Sequence, residues 1–158
     1  MSSLLLVGCD ALPPLKNGDP APHFSLQDLD GKQLSYPADF KGQAVVVRFW
    51  ADWCPHCREE MQQLDGIYND LQAKGLTMLA LNVSQDREVA AAFIQDIGVS
   101  YGSLLDRDGS VAERYRVLGL PTTYFMGRDG RIHSKILGES DLPTFTRMAH
   151  AVLAKKGN

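Results

Sequence analysis

Cys54 and Cys57 stand two residues apart in the run Trp53-Cys54-Pro55-His56-Cys57. Two thiols at this spacing can close an intramolecular disulfide. They can also attack a substrate disulfide and resolve the mixed disulfide that follows. At the start of a helix, the first thiol meets unpaired backbone N–H groups and the positive end of the macrodipole. Both favour the thiolate, which is the reactive form. This assigns Cys54 as nucleophile and Cys57 as resolving thiol. Pro55 lacks an N–H and stiffens the turn. His56 can place positive charge beside the Cys54 thiolate and stabilise it. A zinc site needs about four ligands. The third cysteine, Cys9, is far away in sequence, and no metal and no cofactor beyond a Cys54–Cys57 disulfide is assigned.

Such a pair must be carried by a strand that delivers it and a helix that starts on it. Residues 44–50 form an apolar run broken only by Arg48, bounded by Gly42 and the cysteine motif, and read as a buried central strand. A helix is expected from Pro55, a residue suited to a first helical turn. Met61, Leu64, Tyr68 and Leu71 continue it at helical spacing until Gly75. Residues 76–83 read as a second buried strand, and Val89, Ala92, Phe93 and Ile97 mark a helix ending near Gly98. Leu104-Leu105 suggests a short strand, followed by a turn at Asp108-Gly109 and a short helix through Tyr115. Residues 122–126 and 132–137 read as strands joined around Asp129-Gly130, and Leu142, Phe145, Met148, Ala149 and Val152 as an amphipathic C-terminal helix. A hairpin around Asp30-Gly31 precedes all of these. The order predicts an α/β fold with a mixed central sheet, helices on both faces and an N-terminal β-hairpin.

The 158 residues are 44% hydrophobic and 22% charged, with a net charge of -3, which suits one globular domain. No basic block points to nucleic acid. The N-terminus reads differently. Leu4-Leu5-Leu6-Val7-Gly8-Cys9 resembles the lipobox of bacterial lipoprotein signals, although the apolar run is short and no positive n-region precedes it. Residues 1–9 are therefore read as a lipoprotein-signal-like remnant with Cys9 as the lipidated residue. Residues 10–22, with Pro13, Pro14, Pro20 and Pro22, read as a linker, and 23–158 as the domain.

Three segments in order resemble the TlpA/ResA-like thiol–disulfide oxidoreductases of the thioredoxin superfamily. They are residues 18–26, residues 46–61 around the cysteines, and Val117-Leu118-Gly119-Leu120-Pro121-Thr122-Thr123-Tyr124-Phe125. The resemblance spans about residues 18–155. It implies a thioredoxin-like fold, with Pro121 as a cis-proline beside the cysteines and Glu60 at an acidic position tied to proton handling. Trp53 would shield the thiols. The implied partners are protein thiols or disulfides and a membrane protein that donates or accepts thiol electrons. The implied place is extracytoplasmic, in the periplasm or on the outer face of the inner membrane, with attachment by a lipid anchor. The implied direction is reduction, as in cytochrome c maturation.

Three positions depart from that family pattern. Arg48 replaces the aspartate or asparagine expected there. By strand alternation it shares a face with Val46 and Trp50, where it can either stabilise the thiolate or pair with an acid such as Glu60. Gln62 stands where the family usually has a proline that kinks the helix. His56 gives a motif shared with the strongly oxidising DsbA, which keeps a dithiol oxidase as the alternative. A second alternative is a Sco-like copper-binding assembly factor using Cys54, Cys57 and His133 as soft ligands. Those proteins separate their cysteines by three residues, not two. A peroxiredoxin would need a threonine shortly before its cysteine, where this chain has Asp52-Trp53.

Overall fold

The computed structural model describes residues 12–157. Seven strands make one sheet: β1 (Phe24–Asp28), β2 (Gln33–Tyr36), β3 (Ala44–Trp50), β4 (Leu76–Val83), β5 (Gly102–Asp106), β6 (Thr122–Met126) and β7 (Ile132–Leu137). Four helices accompany them: α1 (Cys57–Leu71), α2 (Arg87–Ile97), α3 (Ser110–Arg114) and α4 (Leu142–Ala154). The strand order is β2-β1-β5-β4-β3-β6-β7. β3, β4 and β5 run parallel, whereas β6 is antiparallel to β3, β7 to β6, and β1 to both β2 and β5. The mixed, thioredoxin-like sheet expected from the sequence is the one present.

β3 is central, and all seven of its residues are buried. Its alternation divides the core. Val46 and Trp50 pack with Met61 and Leu64 of α1, Phe93 of α2, and Phe145 and Ala149 of α4. Val45, Val47 and Phe49 pack on the opposite face with Val111 of α3, Tyr115, Tyr124 and the hairpin residues Phe24 and Tyr36. A strand covered on both sides has no solvent face, hence the continuous apolar run.

α1 begins at Cys57, two residues later than expected from Pro55. The Cys57 amide bonds the Cys54 carbonyl at 3.2 Å, so Cys54-Pro55-His56 form a turn that leads into the helix. α1 runs unbroken past Gln62, whose side chain donates to the Ile97 carbonyl at 3.3 Å. At the far end, Gly75 takes a left-handed φ of 98° and closes the segment.

The segment read as a linker, 10–22, does not hang free in its described part. The Gly18 amide donates to the Ile132 carbonyl at 2.7 Å, the Ile132 amide to Asp19 at 2.9 Å, and the Ala21 amide to Gly130 at 2.9 Å. Lys135 Nζ donates to the Leu15 carbonyl at 2.6 Å. Prolines exclude regular structure but not pairing with an edge strand. β7 is such an edge and offers unpaired backbone groups. Cys9 and the remnant at 1–9 lie outside the described residues.

Candidate active site

The site forms where β3 ends. Cys54 and Cys57 are joined by a disulfide, with their Cα atoms 5.4 Å apart. Cys57 is fully buried, and Cys54 keeps 4% of its surface. Trp53 beside them is 66% exposed, so it borders the disulfide rather than filling the core. The loop is held from below by residues that sequence reasoning missed. The Asp52 amide donates to Gln85 Oε1 at 2.9 Å, and Gln85 Nε2 returns a bond to Asp52 Oδ1 at 2.5 Å. Asn82 Nδ2 fixes the same Gln85 oxygen at 2.9 Å. Nothing in the local pattern marks Gln85, because Asp52 lies 33 residues away.

Pro121 is brought to the same place by register. Thr122 pairs with Phe49, so the residue before it lies at the end of β3 from which Cys54 leaves. The Leu120–Pro121 bond is cis, as the resemblance implied, and Tyr36–Pro37 is a second cis bond that the sequence did not suggest.

Arg48 lies on the face of β3 whose neighbours Val46 and Trp50 pack in one cluster with Cys54 and Cys57, and Glu60 lies one helical turn after Cys57. Arg48 points to the α1 face of the sheet, as alternation predicts, and has no exposed surface. Of the two roles open to it, thiolate stabilisation and pairing with an acid, the structure takes the pairing: Nη2 lies 2.8 Å from Glu60 Oε2. Nη1 donates to Thr123 Oγ1 at 3.0 Å. Burial pushes the guanidinium below its ordinary pKa, and the Glu60 carboxylate opposes that shift. The other Glu60 oxygen, Oε1, accepts from the Ser140 amide at 3.2 Å. Glu60 is thus a buried, paired acid rather than a solvated one in a first helical turn.

His56 is exposed and lies 2.9 Å, through Nε2, from Glu139 Oε1. With Glu59, Glu60, Gln63, Ser140 and Asp141 these two line a cleft of about 320 Å³ between the start of α1 and the loop before α4. Glu139 and Ser140 precede α4 and had no sequence signal, because only folding places them against α1.

The copper alternative is not assembled. β7 runs antiparallel to β6, so His133 sits at the sheet end opposite the cysteines. Among the described residues, no group of three His, Cys, Asp or Glu side chains could hold a metal ion.

A thioredoxin-like sheet that presents a two-cysteine disulfide at the end of its central strand, next to a cis-proline, defines a thiol–disulfide oxidoreductase. The chain belongs to the AhpC/TSA family, whose model matches residues 17–135. It is 31% identical over 124 residues to the thiol-disulfide oxidoreductase ResA of Bacillus subtilis, covering 78% of this chain and 69% of that one. ResA of Geobacillus thermodenitrificans is 32% identical over 121 residues, covering 77% of this chain and 69% of that one. Among solved structures, the thioredoxin domain of a thiol-disulfide oxidoreductase from Bacteroides vulgatus superposes with a TM-score of 0.75 at 30% identity. It covers 85% of this chain and 99% of that one. A thiol:disulfide interchange protein from Chlorobium tepidum gives a TM-score of 0.78 at 25% identity, covering 88% and 99%.

Proposed function

We propose that Cys54 is the attacking thiol and Cys57 the resolving thiol of an extracytoplasmic protein disulfide reductase. The observation that carries this reading is the asymmetry of the pair: Cys54, next to the exposed Trp53, keeps 4% of its surface, and Cys57 keeps none. That difference favours a substrate disulfide meeting the first sulfur. The reduced protein donates two electrons. Cys54 thiolate attacks the substrate disulfide and releases one substrate thiol. Cys57, on losing its proton, then attacks Cys54 and releases the second thiol. Pro121 borders this exchange, and Trp53 shields it.

The similarity to the ResA relatives supports work outside the cytoplasm, with Cys9 as lipid attachment point and a membrane thiol-electron donor that restores the dithiol. Cytochrome c maturation is the setting that this resemblance favours. In a cell, a Cys57→Ser variant is expected to accumulate mixed disulfides through Cys54, and acid-quenched wild-type protein to be mostly in the dithiol form. A mostly oxidised steady state would instead establish the dithiol-oxidase reading, which His56 inside the ring favours. Mass spectrometry of membrane-fraction protein is expected to show a lipidated Cys9, and an unmodified Cys9 would remove the anchor.

A further inference from the structure

Arg48 and Glu60 form a link between four parts of the fold. Thr123 on β6 accepts from Arg48 on β3, Arg48 pairs with Glu60 on α1, and Glu60 accepts from the Ser140 amide before α4. Both charged side chains are at least nine-tenths buried. Glu60 lies one helical turn after Cys57, on the face of α1 turned to the sheet, and its amide bonds the His56 carbonyl at 3.3 Å. A lone charge at that depth would act strongly on the nearby sulfurs, because little water screens it.

We propose that Arg48 is a positioning residue that cancels the field of Glu60 at the Cys54–Cys57 pair, so that the two residues act on the thiols as one neutral unit. The carboxylate alone would oppose a Cys54 thiolate. The guanidinium alone would favour it. Held 2.8 Å apart, they leave the thiolate to the helix N-terminus and to the charges at the surface. The remaining groups that face Glu60 are His56 and Glu59 at the start of α1, Glu139 and Asp141 in the loop before α4, and Tyr101 before β5. Tyr101 donates to the Met61 carbonyl at 2.7 Å, and burial raises its pKa, so it stays neutral and adds no charge.

A neutral unit has a signature that simple packing lacks, because removing its two halves moves the thiols in opposite directions. The test is thiolate absorbance titration and glutathione equilibration across pH, on the full chain. Glu60→Gln is expected to increase the ratio of Cys54 thiolate to thiol about tenfold at a fixed pH, one pKa unit, and to make the disulfide more oxidising. Arg48→Met is expected to shift the ratio the other way at high pH. It should also add a pH-dependent step to the potential as the stranded Glu60 takes up a proton. The double variant is expected to return close to wild type. Arg48→Lys keeps the charge and should remove the added step. Shifts in the same direction for both single variants overturn the proposal. So does an unchanged titration in Glu60→Gln, which also decides the matter if Arg48→Met does not fold.

Discussion

His56 Nε2 lies 2.9 Å from Glu139 Oε1, which ties the residue inside the cysteine ring to the loop before α4. Both side chains are more than half exposed, so water and salt screen this contact. The tuning expected of His56 therefore keeps its sign and is small in size. His56→Pro is expected to raise the Cys54 pKa and make the potential more negative. An exposed charge contributes at most about 1 kcal/mol, so the change is bounded near ~20 mV at ~30 mV per 1.4 kcal/mol. Glutathione equilibration at low and high salt measures it. A shift several times larger would mean that proline acts on the turn rather than on charge.

The burial difference within the pair sets an order of labelling. Cys54 keeps 4% of its surface and Cys57 none. When the reduced protein meets a limiting amount of iodoacetamide, the modified peptide is expected to carry the label on Cys54. Label found mainly on Cys57 would reverse the roles assigned to the two sulfurs.

The docking of the N-terminal segment on β7 refines where the chain can be cut. Deleting residues 1–9, the lipoprotein-signal-like remnant, is expected to leave thiol exchange unchanged. Deleting residues 1–21 removes the Gly18, Asp19 and Ala21 bonds to the β6–β7 hairpin and bares the β7 edge. That truncation is expected to lower the melting temperature and promote self-association, read by calorimetry and light scattering.

Asp141 caps α4 by accepting from the Thr144 amide at 2.7 Å, and that bond holds its carboxyl below the usual pKa. A carboxyl whose pKa is lower in the folded chain adds stability above its unfolded value, near ~3.9, and loses it as pH falls through the folded value. Asp141→Ala is therefore expected to melt below wild type at pH 7, with the gap narrowing as the pH is lowered below ~4. Thermal melts at several pH values check this. A gap independent of pH would assign the loss to packing rather than to the charged cap.

Much of the fold was legible because it follows from local periodicity. The β3 run, the 122–126 and 132–137 strands and the spacing of α1 each record which face is buried, and burial dictates residue type. The cysteine pair was legible for a related reason: two thiols two residues apart at a strand-to-helix junction can close on each other whatever surrounds them. His133 could be set aside only after folding, since its distance from the cysteines depends on the direction of β7. Gln85, Thr123, Glu139 and Ser140 left no trace, because each acts through a partner that only the tertiary structure brings near. Arg48 shows the division most clearly. Alternation placed it on the face it shares with Val46 and Trp50, yet a guanidinium there can serve either a thiolate or a carboxylate. The packing of α1 against β3 decided for the carboxylate, because it sets Glu60 within 2.8 Å, and a fully buried cation needs a charged partner in both redox states of the cysteines.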